Sequence, residues 1–431
     1  MWRTIYQVLL ILAYPVVRLR LLWRARREPD YGRRIAERFG HVPEGVPLNP
    51  VWFHTVSAGE TIAAAPVIRK LAEEFPELQF LVTTMTPTGS AQVRTLLGDH
   101  VAHCYAPYDF SWGVRRFYAA VAPKLLVLME TELWPNLINV AHEREVPAVL
   151  VNARLSERSA RGYARIGSLT RTMLEQLSFI ACQYPDHAER FLALGAAASR
   201  VSAPGSIKFD VQLPADHADR VAELRSAWGL AGRPVWIAGS THPGEEEIIL
   251  AAHRTVRGAC PDACLLLVPR HPARADEVER LTREAGFQVV RQSELSSFSS
   301  EAGAPEVVLA DTMGQLLYLY GLSDVAFLGG SLVSVGGHNP IEAAICAQPL
   351  IMGPETFNFP DVVAAFSDAG CLFLVRDAEQ LASRVTSWLA DNGLRADLGQ
   401  AAHRVVTENT GATGRLLDLL RAEIRSATAG R

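Results

Sequence analysis

The sequence predicts an α/β chain of two doubly wound, parallel-sheet halves with an apolar helix in front of them. Three observations carry that expectation. From residue 51 short apolar runs alternate with segments of helical period. The alternation stops over a polar stretch at 210–233 and restarts at 234. The first 23 residues hold an almost unbroken apolar run that ends among arginines. Apolar strands alternating with helices belong to a parallel sheet covered on both faces. With 431 residues, 49% of them hydrophobic, the chain has apolar surface for two cores. A net charge of −4 argues against a general nucleic-acid-binding protein, and no nucleic-acid partner is expected.

The front segment is apolar from Ile5 to Val17. Arg18, Arg20, Arg24, Arg26 and Arg27 follow, with Leu19, Leu21, Leu22 and Trp23 between them. A secretory signal carries its positive charge before the apolar run and ends at a small-residue cleavage site. Here only Arg3 precedes the run. The positive cluster on the C-terminal side keeps the remainder of the chain cytoplasmic. Residues 1–24 are therefore expected to be a membrane anchor. A span needs about 20 residues, which a helix reaching Trp23 supplies if Arg18 and Arg20 snorkel. A helix lying on the bilayer, or docked on the protein itself, fits the same residues. Nine arginines against three acids in the first 40 residues, Arg33, Arg34 and Arg38 among them, suit anionic headgroups. They also suit a bidentate grip on the phosphates of a lipid substrate.

In the first half, 25–209, strands are expected at 51–56, 79–86, 101–108, 124–131, 147–154, 178–184 and 200–206. Helices are expected at 61–75, with Pro66 inside, and from Pro87 to about Leu97. In the second half, 234–400, strands are expected at 234–240, 264–270, 286–293, 306–312, 324–331, 349–354 and 371–376. The stretch 293–306 reads as a small-residue loop, 210–233 as a linker containing one helix, and 401–431 as C-terminal helices that pack back on the first half. Of six cysteines, Cys182, Cys346 and Cys371 sit in apolar runs as core thiols. Cys260 and Cys264 lack the second pair that a zinc site requires.

Doubly wound sheets bind ligands beyond the carboxyl ends of their strands, and the chemically interesting residues do follow strands. Glu60 comes directly after the first strand, in Ser57-Ala58-Gly59-Glu60. It sits where a helix dipole favours an acid, and where a general base for a hydroxyl proton would stand. Glu130, Thr131 and Glu132 end the strand at 124–131. Two acids there need a partner, and Lys208 also follows a strand. A Glu130–Lys208 pair is either an ordinary ion pair or a holder of developing negative charge. Ser240 and Thr241 precede an acidic helix start and are available for capping or for phosphate. Arg270 and His271 follow a strand on a loop stiffened by Pro269 and Pro272, an anion-binding arrangement. In the stretch 327–344, glycines 336 and 337 and His338 lead to Asn339 and to Pro340, which starts a helix. That helix start reads as a phosphate site, with Glu342 in reach of ribose hydroxyls. The spacing matches neither GxGxxG nor a P-loop, so NAD and ATP sites are disfavoured. No strand end carries DxD, so no metal and no other cofactor is expected.

Taken in order, SAGE (57–60), ETELWPN (130–136), NARLSERS (152–159), SIKFD (206–210), AGSTHPGEEE (238–247), VPRHP (268–272), DTMGQL (311–316) and GGHNPIEAA (336–344), behind a basic anchored start, resemble the Kdo transferases of lipopolysaccharide synthesis. The resemblance runs over nearly the whole chain. It implies the GT-B fold, two Rossmann-like domains facing a central cleft, and inverting transfer of Kdo from CMP-Kdo to a phosphorylated lipid A precursor at the cytoplasmic face of the inner membrane. It implies Glu60 as general base, with Glu130 and Lys208 supporting the transition state. It implies CMP held by Pro269 and Arg270, by Met313, Gly314 and Gln315, and by Asn339, Pro340, Ile341 and Glu342. The first half would then receive the acceptor and the second the CMP-sugar. Met313 to Gln315 enter on the resemblance alone. A UDP-sugar transferase or epimerase, and a non-catalytic nucleotide- or lipid-binding protein, are the rival readings.

Overall fold

The computed structural model describes residues 2–297 and 305–429. The chain divides into two compact units, Met1–Lys208 with Thr410–Arg431, and Phe209–Asn409. Each is built on a seven-stranded sheet.

The first sheet contains β1 (Val51–His54), β2 (Phe80–Thr84), β3 (Ala102–Tyr105), β4 (Leu125–Met129), β5 (Ala148–Ala153), β6 (Phe179–Cys182) and β7 (Val201–Ser202). Their order is β3-β2-β1-β4-β5-β6-β7, with every pairing parallel. All residues of β1, β2, β4 and β5 are buried, as Val- and Leu-rich strands between two helical layers must be. The two-residue period sorts their side chains. Trp52, Leu126, Leu128 and Leu150 enter one core, and Val51, Phe53, Leu125, Val127 and Val149 the other.

Five helices of this unit matter for the site: α1 (Trp2–Arg27), α2 (Ala58–Glu74), α3 (Pro87–Leu97), α4 (Ser111–Val121) and α5 (Pro135–Glu143). Pro66 sits inside α2, and the carbonyl it leaves without an amide partner belongs to Ile62, which is exposed to water. Thr86 caps α3 by accepting from Gly89 N at 3.0 Å. The C-terminal helix Ala412–Ala429 returns to this unit and buries Leu416, Leu420 and Ile424 against Phe53, Val82 and Val127.

The second sheet contains β8 (Val235–Thr241), β9 (Cys264–Pro269), β10 (Val289–Arg291), β11 (Val307–Leu309), β12 (Val325–Leu328), β13 (Leu350–Met352) and β14 (Leu372–Leu374). The order is β10-β11-β9-β8-β12-β13-β14, again parallel. Trp236, Leu265, Phe327, Ile351 and Trp388 anchor its core.

Every strand read from the sequence is present. The edge strands are shorter than expected: 200–206 yields two residues and 286–293 yields three. An edge strand pairs on one side only, and Pro204 offers no amide to extend β7. The stretch 210–233 is more than a connector. Its helix His217–Ala227 belongs to the second unit, where Arg225 donates to Leu322 O at 2.8 Å and Trp228 is buried. The helix Asn392–Glu408 also stays with the second unit, so the chain crosses back at Thr410 rather than at 401. Part of the loop at 293–306 lies outside the described residues. At its start Ser293 binds Asp311 through its amide, at 3.1 Å, and its hydroxyl, at 2.6 Å.

Candidate functional site

In the first sheet β1 lies between β2 and β4, so the strand order reverses at β1/β4. Such a switch point opens a crevice at the carboxyl end of the sheet. Glu60 stands on one side of it, at the third position of α2, in a reciprocal capping box. Ser57 Oγ accepts from Glu60 N at 3.3 Å. The Glu60 carboxylate accepts from Val56 N at 2.9 Å, from Ser57 N at 3.1 Å and from Ser57 Oγ at 2.7 Å. Only 8% of the residue is exposed. Burial, and after it the charge of Glu132 with a smaller push from Glu130, raises this carboxyl to about 7, against the opposing pull of its hydrogen bonds. Glu60 is thus a helix cap whose carboxyl is raised to about 7.

Glu130 stands on the other side of the switch, immediately after β4. Its φ is +53°, a left-handed conformation that costs an ordinary residue of order 1–3 kcal/mol and gathers at functional sites. Its Oε1 lies 2.7 Å from Lys208 Nζ, and the two side chains are 15% and 17% exposed. Arg154 Nε approaches Oε2 at 3.9 Å. The pair expected from the sequence is therefore formed. Asn152, at the end of β5, holds it in place. With φ +49°, it accepts from Ile207 N at 3.3 Å through Oδ1, fixing the turn Ile207–Phe209 that carries Lys208. Sequence reasoning gave Asn152 no role of its own. Its signal was a polar residue closing an apolar strand. Glu132 accepts from Trp134 Nε1 at 2.7 Å, and burial, then Glu130, raise its carboxyl.

The second sheet reverses at β8/β12. The strand ends approach so closely there that a Cβ on Gly329 would lie 2.6 Å from Ser240 O. Ser240 and Thr241 do not cap the next helix, Glu246–Ala259. Thr241 Oγ1 donates to Glu246 Oε1 at 2.9 Å, and Arg274 pairs with the same carboxylate at 2.7 Å. The buried carboxylate of Glu245 instead accepts four backbone amides: His242 at 3.0 Å, Gly330 at 2.6 Å, Ser331 at 3.0 Å and Leu332 at 2.9 Å. Glu245 fixes the glycine turn after β12. The sequence reading treated it as an ordinary acid in a helix start.

Around that turn the structure gathers a basic cluster. His242 and His338 stack with ring centroids 5.1 Å apart and Nε2 atoms 2.9 Å apart, and His271 meets His242 edge-on at 6.1 Å. Burial first, then His242, Arg270 and His271, lower His338 to about 4. His242 is lowered by burial, His271, Arg270 and Arg274. Glu342 is raised by burial, with Arg270 opposing. Arg270 thus sits within electrostatic reach of His242, His338 and Glu342, beside Pro269 at the end of β9. The sequence gives His242, within AGSTHPGEEE, no role of its own.

The helix start at Pro340 differs from expectation. The helix Ile341–Ile345 has five residues, and Asn339 Oδ1 accepts its Ile341 amide at 3.2 Å. So short a helix has little macrodipole, and one of its free donors is already taken. Arg270 is the stronger anion-attracting group there. Met313, Gly314 and Gln315 lie on the turn after β11, next to β9 in the sheet. Met313 is largely exposed, and Gly314 takes φ +78°. They share the sheet edge with the other residues. Among the described residues no group of three or more His, Cys, Asp or Glu is arranged to hold a metal ion.

A further cavity, about 480 Å³, lies in the first unit beneath α1. Leu10, Val17 and Leu21 of α1 form one wall, with Arg20 and Arg24 also lining it. Tyr108, Phe110, Leu133 and Trp134 are among the residues opposite. Trp134 links this groove to Glu132, and through its charge to Glu60. Two other arginines of the basic start are committed to the fold. Arg34 pairs with Glu37 at 2.7 Å. Arg38, 1% exposed, donates to Met85 O at 2.8 Å and lies over the Tyr105 ring.

A family model described as 3-Deoxy-D-manno-octulosonic-acid transferase (kdotransferase) matches residues 33–211, and one for glycosyl transferases group 1 matches residues 235–405. The chain is 41% identical over 426 residues to a 3-deoxy-D-manno-octulosonic acid transferase of Haemophilus influenzae, covering 98% of each chain. It is 37% identical over 436 residues to the transferase of that name from Bordetella pertussis, covering 97% of this chain and 99% of the relative. Among solved structures, UDP-GlcNAc 2-epimerase from Neisseria meningitidis superposes with a TM-score of 0.57 at 14% identity, over 86% of this chain and 100% of the other. That last likeness is one of fold: the GT-B arrangement of two Rossmann-like domains.

Proposed function

The chain belongs to the Kdo transferase family of glycosyltransferases, and from that premise we propose that it transfers Kdo from CMP-Kdo to a phosphorylated lipid A precursor, lipid IVA, in lipopolysaccharide synthesis. Transfer proceeds with inversion at the cytoplasmic face of the inner membrane. The first unit receives the acceptor and the second holds CMP-Kdo. The observation that carries this reading is Glu60, a buried carboxyl raised to about 7 beside the Glu130–Lys208 pair.

The acceptor hydroxyl oxygen forms a bond to the anomeric carbon as the bond from that carbon to the CMP phosphate oxygen breaks. Glu60 takes the hydroxyl proton, and CMP leaves with the electron pair. A base poised near the working pH suits this single displacement. The phosphate gains negative charge as the bond breaks. Lys208, held by Glu130, stabilises that developing charge, and Arg270 binds the phosphate through the charge it already carries in the ground state. Pro269, Met313 to Gln315 and Asn339 to Glu342 complete the nucleotide site. Glu342 is the acceptor for ribose hydroxyls.

On the acceptor side, support comes from the groove beneath α1. Its apolar walls match an acyl chain. Arg20 and Arg24 match a phosphate, which guanidinium grips bidentately.

The test incubates purified protein with CMP-Kdo and lipid IVA in the presence of a chelator, with products weighed by mass spectrometry. The expected result is a mass gain of one or more Kdo units with release of CMP. Absence of turnover by a folded, CMP-binding protein would overturn the proposal.

A further inference from the structure

We infer that α1 lies along the bilayer surface, within one leaflet, and does not cross the membrane. The inference rests on the membrane attachment proposed above, and is independent of the reaction.

By length and composition α1 is able to span. What it touches argues otherwise. Near its start Arg3 pairs with Glu143 of α5 at 3.2 Å, Tyr6 donates to Asp109 at 2.8 Å, and Gln7 donates to the Asn136 side chain. In its middle Tyr14 meets Phe39, Phe110 and Trp112 edge-on, at 5.7, 5.5 and 6.1 Å. Near its end Leu21 is buried in the same cluster, and Arg24 lies 4.3 Å over the Tyr31 ring.

From Arg3 to Arg24 the helix runs about 32 Å at 1.5 Å per residue. The hydrocarbon core of a bilayer is about 30 Å thick. The same folded unit therefore grips α1 at both ends of a length equal to the whole core. A crossing helix would carry Glu143, Asp109 and Asn136 into hydrocarbon, where polar groups lose their water. Alternatively it would have to abandon every one of these contacts.

The opposite face fits an in-plane helix. Val8, Leu9, Ile11, Leu12, Val16 and Leu19 are each at least 50% exposed, and form an apolar stripe. The docked residues 3, 7, 10, 14, 17, 21 and 24 follow the 3.5-residue spacing of a packed seam. The exposed stripe occupies the other side. Arg18, Arg20, Arg26 and Arg27 gather toward the C-terminal end, where anionic headgroups would meet them. Trp23, about half exposed, is of a type that settles at the membrane interface.

Two measurements on the full chain test the inference. In the first, epitope tags at both termini are probed with protease in sealed inner-membrane vesicles. An in-plane helix leaves both tags on one side. Tags on opposite sides would overturn it. In the second, single cysteines at Val8, Leu12, Val16 and Leu19 carry an environment-sensitive fluorophore. The parent chain, labelled in parallel, is the blank. Vesicles of phosphatidylcholine and phosphatidylglycerol hold depth-graded quencher lipids. The expected result is one shallow depth for all four positions. A gradient with Leu12 deepest would overturn the inference. Failure of the protein to float with anionic vesicles would overturn the membrane attachment along with it, a result distinct from tags on opposite sides.

Discussion

The two sheets reverse their strand order at matching places, β1/β4 and β8/β12, yet the two crevices are furnished with opposite chemistry. At β1/β4 three acids crowd together. Burial and mutual repulsion raise Glu60 and Glu132, and Lys208 is drawn in as a counter-ion. At β8/β12 the strand ends are glycines and hydroxyls. The acid there, Glu245, is spent on four backbone amides, and the groups left at the edge are Arg270 and three histidines. One architecture thus carries a cluster of buried carboxyls in one unit and an arginine among three imidazoles in the other. A switch point supplies a location; the residues that close the strands supply the chemistry.

The comparison makes a division of labour testable, and the largest effect belongs to the acidic crevice. Glu60→Gln should lower kcat by about 100- to 10,000-fold, the range for loss of a general base, while CMP affinity by calorimetry stays unchanged. The parent rate should rise with pH and level off above about 7, because the base acts only when deprotonated and burial has moved it there. If the parent rate were flat from pH 5 to 8, Glu60 would lose the role.

Next in size is Lys208→Met, with an expected loss of about 100- to 1,000-fold in kcat, as for removal of one preorganised charge-stabilising group. Unpairing Glu130 also destabilises the fold. Lys208→Met with Glu130→Gln should therefore recover the melting temperature without recovering the rate. Full recovery of both would reduce the pair to an ordinary ion bridge.

Arg270→Gln should act through binding. Losing a charge-assisted contact is worth about 1.5–3 kcal/mol, or about 10- to 100-fold in CMP affinity, with kcat at saturation largely retained. A kcat effect larger than the affinity effect would blur the distinction between the crevices. The smallest effect is expected at His338. Its ring is held at about 4 by burial, His242, Arg270 and His271, so it stays neutral over the working range. CMP affinity measured from pH 6 to 8 should give parallel curves for the parent and His338→Gln. A slope that disappears in the variant would mean the ring ionises when nucleotide binds.

Much of this was readable in advance. The inner strands follow from apolar runs, because a strand buried on both faces must be apolar throughout. Glu60, Glu130, Lys208 and Arg270 were readable because they follow such runs. Asn152, Glu245 and His242 were not. Each acts through a contact with a distant segment, such as Glu245 with Gly330, and local pattern carries no trace of such a partner. The docked seam of α1 was hidden for another reason. Both of its faces are rich in apolar residues, so periodicity does not separate the side that meets protein from the side that meets lipid.

The linear order of residues determined two parallel sheets, the positions of their strand ends, and which ionisable groups stand there. Tertiary structure alone decided which of those groups became neighbours and how far from water they lie. The acidity of Glu60, the pairing of Lys208 with Glu130, and the cluster around Arg270 depend on crossovers that bring together residues tens of positions apart in the chain. Charges interact strongly only where burial has removed the water between them, and burial is a property of the assembled layers.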